Sequence, residues 1–275
     1  MIEQTQVDNN ILDFNSALDV LKQVSETFKT EAWIPSKGIF LTFKEIDAKQ
    51  QKELLSAAID NSVYNSSFTK TFFSILKSNL IKEDKSILDE LDLADKASIS
   101  ITLKHQITNE LNVIFDEKEK IIEKINITHI LDKFKKYKSP TSKNISLKNN
   151  EFEIKVELKL PLIKSDLSYD EQLKKVKKKA DQIKTSEDVQ EIVSEAFIGE
   201  TSKYIQRIWI NDTEIETIDL KPEQKIKVVE KLPSGLIQKV LEQISEWKKE
   251  LDDILTVKHQ EYTKVIAIDS LLFLS

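Results

Sequence analysis

Cysteine is absent from this chain of 275 residues. That absence removes disulfide bonds, thiolate catalysis and cysteine-ligated zinc from consideration, and it fits a reducing compartment. Glycine occurs only at positions 38, 199 and 235, too scattered for a loop whose backbone amides cradle a phosphate. Arginine occurs once, as Arg207, among 41 basic residues, so planar bidentate phosphate recognition is almost out of reach. Nucleic-acid binding would have to rest on lysines diluted by 47 acids, in a chain of net charge −6. There is no Gly-x-Ser-x-Gly elbow. His105, His129 and His259 have no companion at metal-ligand spacing and read as surface or packed side chains. Carboxylate pairs such as Asp188 with Glu191 are what so acidic a composition produces by chance. The most apolar run, Val265 to Ser275, is broken by Asp269 and is far too short to span a bilayer. No N-terminal segment resembles a signal peptide. The expectation is a chain with no catalytic, cofactor or metal site and neither a membrane nor a nucleic acid as partner.

What is present is enough apolar residue for a core, 40% against 32% charged, so disorder is not the default. The densest turn chemistry lies between Glu31 and Phe73. Ala32 to Ile34 is short and apolar, Pro35-Ser36-Lys37-Gly38 is a turn signal, and Ile39, Leu41 and Phe43 then alternate with polar or exposed positions. This predicts a tight β-hairpin. Asp47 is placed to cap a helix bearing Leu54, Leu55, Ala58 and Ile59. A second helix, from about Asn65 to Leu80, turns Phe68, Phe72, Phe73, Ile75 and Leu76 inward. Before the hairpin, Ile11 to Phe28 places Leu12, Leu18, Leu21 and Val24 on one face. It reads as a helix packed on its own domain, or else as an amphipathic arm for a partner. Ile99, Ile101 and Leu103 alternate as in a strand, yet the run lacks turn residues and is read as helix. Asn112 to Phe115 reads as a short strand, Glu117 to Lys124 as a charged helix, and His129 to Tyr137 as a basic helix. Ser139-Pro140-Thr141-Ser142 marks the main boundary.

Beyond it, Phe152, Ile154, Val156, Leu158 and Leu160 alternate with charged residues, predicting an antiparallel strand paired with Ile145 and Leu147 across Asn149-Asn150. Tyr169 to Ile183 carries Lys174, Lys175 and Lys177 to Lys179 and reads as a solvated helix face rather than a nucleic-acid patch. A helix starting at Thr185-Ser186-Glu187-Asp188 has Val189, Ile192, Val193, Ala196 and Phe197 as its buried stripe, with Gly199 marking an end. Ile208 to Ile210 and Ile215 to Leu220 read as strands around Asn211-Asp212-Thr213. Pro222 opens a helix, Leu236 to Leu255 forms a longer one, and Val265 to Leu274 a final strand. Trp33, Trp209 and Trp247 are core or interface anchors. The fold class is α+β, with a helix-rich N-terminal part containing a β-hairpin and a C-terminal part with a small antiparallel sheet packed by helices. The expected division is an amphipathic arm at 1–30, a helix-rich domain at 31–139 and an α+β domain at 140–275.

Several segments in order resemble the baseplate hub family of T-even-like contractile-tailed bacteriophages, whose members are hub subunits or hub assembly proteins. They are Trp33-Ile34-Pro35-Ser36-x-Gly38, Phe43-Lys44-Glu45-Ile46, Lys49-Gln50-Gln51-Lys52-Glu53-Leu54-Leu55 and Leu93-x-Asp95-x-x-x-Ile99-x-Ile101-x-Leu103. Tyr204-Ile205 with Ile208-x-Ile210, Glu230-Lys231-Leu232-Pro233 and Ile266-x-Ile268-Asp269-x-x-Leu272-Phe273 complete the series, which covers most of the chain from about residue 31. The sequence departs from the family at two places. Val257 to Lys264 carries His259 but none of the cysteines of the family's finger-like insert, so no metal is implied. Lys104 stands where an arginine is expected. The resemblance implies a structural or assembly role by protein contact, in the virion baseplate or in the host cytoplasm during tail building, and no catalytic residues. Partners would be other tail or baseplate hub proteins, or further copies of the chain. Trp33, Pro35, Phe40, Trp209 and Phe273 are the candidate contact residues. The alternative is a cytosolic adaptor or chaperone-like binding module unrelated to phage tails.

Overall fold

The computed structural model describes residues 13–59, 66–81, 83–116, 118, 120–169, 186–215, 217, 220–268 and 272. The fold is α+β, built from small antiparallel sheets and packed helices. Helix α1 (Phe14–Thr27) leads into the hairpin β1 (Lys29–Ile34) and β2 (Ile39–Lys44). Helices α2 (Ala48–Ile59) and α3 (Ser66–Asn79) follow, then a 3₁₀ turn at Lys85–Glu90 and helix α4 (Leu93–Ile107). A second hairpin, β3 (Glu110–Asp116) and β4 (Ile121–Asn126), precedes α5 (Thr128–Lys136). Strands β5 (Lys143–Lys148) and β6 (Glu153–Leu158) open the second half, and residues 163–169 are helical. Helix α6 (Ser186–Tyr204), strands β7 (Ile205–Ile210) and β8 (Thr213–Ile215), and helices α7 (Pro222–Val229) and α8 (Ser234–Leu255) come next. The hairpin β9 (Thr256–His259) and β10 (Tyr262–Val265) is the last pair of strands among the described residues. No helix among the described residues is long and apolar enough to cross a membrane.

The first hairpin forms where its residues predict. Ala32 pairs with Leu41 and Ile34 with Ile39, and Ala32, Ile34, Leu41 and Phe43 are wholly buried on its inner face. Gly38 turns the corner at φ +66° and donates its N–H to the carbonyl of Ile34 at 2.8 Å. A Cβ there would meet nothing within 4 Å, so the left-handed backbone alone sets the cost. Gly38→Ala is expected to lose about 1 kcal/mol in urea unfolding.

Helix α4 is the centre of the first core. It is buried all round, from Ala94 to Lys104, and it lies against β1. Two of its buried hydroxyls are satisfied by backbone carbonyls. The Ser98 hydroxyl donates to the carbonyl of Trp33 at 2.7 Å, and the Thr102 hydroxyl to that of Ser98 at 2.8 Å. Phe68, Phe72 and Leu76 of α3 close the core, as their spacing predicts. In the second core, α8 lays Leu236, Val240, Ile244 and Trp247 across the inner face of a four-stranded sheet ordered β5-β6-β7-β8. Val156, Leu158, Ile205 and Ile208 face it. Residues 254–272 then rejoin the first core through Ile254, Leu255, Val257, Ile266 and Leu272.

Five expectations need correction. The charged run read as a helix from Glu117 to Lys124 runs into β4 instead. Residues 121–124 lie on one strand of a two-stranded ribbon, with Lys124 ion-paired to Glu110 across it at 3.3 Å, and Glu117 and Glu119 lie outside the described residues. Helix α6 does not end at Gly199 but continues to Tyr204, because a helix interior accepts a lone glycine at modest cost. On that helix Val193 and Phe197 are exposed, while its last turn, Thr201 to Tyr204, is buried. The expected strand from Val265 shifts back to Tyr262–Val265, paired with β9, and residues 266–268 carry no strand. Strand β8 is Thr213–Ile215, so it begins within the expected turn and shares only Ile215 with the strand expected from Ile215 to Leu220. The lysine-rich stretch from Lys174 to Lys179 lies outside the described residues.

Candidate functional site

The hairpin turn is fastened to the start of α4 by a buried polar lock. Asp92 caps the helix, accepting from the amides of Ala94 and Asp95 at 2.9 and 3.0 Å. Asp95 answers by accepting from the amide of Asp92 at 2.9 Å, completing a capping box. The same Asp95 carboxylate accepts from Ser36, from its amide at 2.9 Å and from its hydroxyl at 2.6 Å. Trp33 donates its indole N–H to the carbonyl of Tyr137 at 3.3 Å, and the amide of Ser139 donates to the carbonyl of Pro35 at 3.3 Å. An ion pair between Lys37 and Glu90 closes the outer side. Two segments that carry the resemblance, Trp33 to Gly38 and Leu93 to Leu103, are thus one unit in space.

The electrostatics follow from burial. Asp95 is wholly buried and its pKa is pushed up to about 7, first by burial and then by repulsion from Asp92, against the three hydrogen bonds it accepts. Burial also raises Asp92. The Tyr137 phenol is raised by burial, then by the nearby charges of Glu250, Asp92 and Asp95. A second buried cluster joins α6 to residues 163–169. Lys203 lies 2.8 Å from Asp166 and 2.9 Å from Glu200, and these acids outweigh the effect of burial and hold its ammonium above the ordinary lysine value. Both clusters hold elements together, and neither pairs a nucleophile with a base.

The candidate contact residues separate by location. Phe40 is exposed at the hairpin tip beside Ile39, with Trp33 edge-on to it at 5.0 Å. Trp33 is half-buried. Pro35 is buried and supports the turn from within, so it offers no surface of its own. Trp209 lies half-buried on the outer face of the four-stranded sheet, with the Lys155 ammonium 5.0 Å above its ring. Phe273 lies outside the described residues. Trp247 is a core residue. His259 sits 3.5 Å from Glu123 and beside the ring of Phe115. Among the described residues no three metal-ligating side chains converge.

An apolar stripe is displayed on α1. Phe14 is 76% and Leu21 63% exposed, and Leu18 and Val24 share the same side. The helix meets the body along its edge on β2, where Glu26 lies 3.3 Å from Lys44. Its periodicity is plain in the sequence. Which side it turns to the body is not, because that depends on β2. The Ser36–Asp95 contact has a partial sequence signal in the Asp92-x-x-Asp95 box, but nothing local names Ser36 as the partner. No protein-family model, curated protein or solved structure matches this chain.

Proposed function

We propose that this chain is a structural or assembly protein of a contractile phage tail baseplate, a hub subunit or hub assembly factor that works by protein contact without catalysis. The observation that carries the contact mode is the apolar stripe of α1, with Phe14, Leu18, Leu21 and Val24 left open to solvent. A patch of that kind on a helix marks a surface meant for another polypeptide. The placement in a baseplate rests on the ordered family-like segments. That two of them meet through Ser36 and Asp95 supports reading them as one structural unit rather than as scattered coincidences.

The test is capture of the tagged chain from phage-infected cells, with the bound proteins identified by mass spectrometry. Tail and hub proteins are expected. Leu18→Asp with Leu21→Asp should lower their recovery by about tenfold or more while leaving the circular dichroism spectrum unchanged, because both side chains are exposed. Recovery of a spread of unrelated client proteins would instead favour an adaptor or chaperone-like module.

A further inference from the structure

A different surface lies between α2 and α3, a groove of 690 Å³. Helix α2 lines it with Lys49, Lys52, Glu53 and Ser56, and α3 lines it with Ser67, Lys70, Thr71 and Ser74. Each set follows the spacing i, i+3, i+4, i+7, so each helix turns one continuous face to the groove. The opposite faces carry Leu54, Phe68, Phe72 and Leu76 into the core, which fixes the polar faces outward. Over this length the walls run about 10 Å, two turns of helix.

The groove is basic in an acidic protein. Three lysines meet one carboxylate, and only Lys49 is near it, 4.0 Å from Glu53. No ion pair to Lys52 or Lys70 is found among the described residues. Four hydroxyls between the ammonium groups add hydrogen-bond donors, and the buried Ala57 leaves room at the floor. The chemistry recognised is therefore a row of carboxylates on a narrow backbone.

We infer that the α2–α3 groove docks an acidic peptide segment of a partner protein, with carboxylates spaced about one helical turn apart. A polypeptide fits better than a nucleic acid because the row of ammonium groups is only about two helical turns long. A polyphosphate reaching past the groove would also meet the field of a chain whose net charge is −6, whereas a short acidic segment meets only the lysines. This goes beyond the baseplate reading and stands without it.

Fluorescence anisotropy on the purified full chain tests it. The probe is a fluorescein-labelled alanine-rich peptide bearing glutamate at every third or fourth position, beside the same peptide with glutamine. The glutamate peptide is expected to bind, the glutamine peptide to fail, and added salt to weaken the complex. Lys52→Glu with Lys70→Glu should weaken binding by about tenfold or more, while Lys227→Glu, an exposed lysine on α7, should not. The milder Lys52→Ala with Lys70→Ala should give an intermediate loss. The inference is overturned by no binding of the glutamate peptide or by binding indifferent to Lys52 and Lys70. It is equally overturned by inorganic phosphate displacing the peptide at equal charge, or by oligodeoxythymidylate binding more tightly than the peptide.

Discussion

Replacing Lys225 by methionine is expected to make the protein more stable at neutral pH. Lys225 lies on α7 and is only 8% exposed. No ion pair or hydrogen bond to its ammonium is found among the described residues, and burial alone lowers its pKa from 10.5 to about 8. That drop corresponds to roughly 3 kcal/mol of disfavoured charge, or roughly 5–10 °C in the melting temperature of a chain this size. Methionine keeps the length and flexibility of the side chain and removes the charge. The pH dependence gives the sign. Below the folded value near 8 the lysine is charged in both states, so the full penalty of burial is present. As the pH climbs towards 10.5 the folded protein loses this proton first and the penalty fades. The advantage of Lys225→Met should therefore be largest at pH 7 and fall to about a quarter near pH 10. Urea unfolding of both proteins at the two pH values measures it, with Lys227→Met on the exposed side of the same helix as control. A variant no more stable than the parent at pH 7 would mean that Lys225 has found an acidic partner or water.

How far these features can be read from the residues depends on whether their cause is local. The first hairpin is local: an apolar triplet, a proline turn and a glycine at positive φ give it without any knowledge of the rest. Helix α8 and strand β6 are legible for the same reason, since each presents one periodic face to a single layer. Helix α4 is less so. Ser98, Ser100 and Thr102 alternate with Ile99, Ile101 and Leu103 as they would in a strand, because here the hydroxyl residues are buried as well as the apolar ones. Only contact with β1 on one side and α3 on another explains why both sets face protein. The run from Glu117 to Lys124 misleads in the opposite way. A two-stranded ribbon solvated on one side tolerates the same charged residues as an exposed helix, and pairing with Asn112, Val113 and Ile114 decides the matter. On α6 the apolar Val193 and Phe197 stay outside while Ser202 and Lys203 go in, because Asp166 and Glu200 wait for the lysine. Of these partners Glu200 is one helical turn away on α6, while Asp166 and β1 lie outside any window that periodicity can see. The Ser36–Asp95 contact spans 59 residues and is invisible for the same reason.

Asp95→Ala should be a damaging single change in this chain. It leaves the buried amide of Asp92 without its acceptor and releases the amide and hydroxyl of the exposed Ser36, at a cost of roughly 1–3 kcal/mol. Asp95→Asn should cost much less, since its carbonyl oxygen retains one acceptor and its neutrality ends the repulsion with Asp92. The two variants also differ from the parent in how they answer to pH. The folded pKa of Asp95 is raised from the ordinary 3.8 to about 7, so the folded protein holds this proton where the unfolded chain has released it. Its contribution favours folding at low pH and is lost as the pH rises through that window. The parent should accordingly lose ground to Asp95→Asn between about pH 5 and pH 7.5, above the range where exposed carboxylates titrate. Hydrogen exchange at the Ser36 amide reports the lock directly: protection should collapse in Asp95→Ala and largely persist in Asp95→Asn. If the hairpin tip with Ile39 and Phe40 is a contact surface, Asp95→Ala should also weaken recovery of partner proteins by more than its loss of stability explains, because the tip would no longer be held against α4. An alanine variant with undiminished protection at Ser36 would show that the turn holds its shape without Asp95, and that the union of the two segments is packing alone.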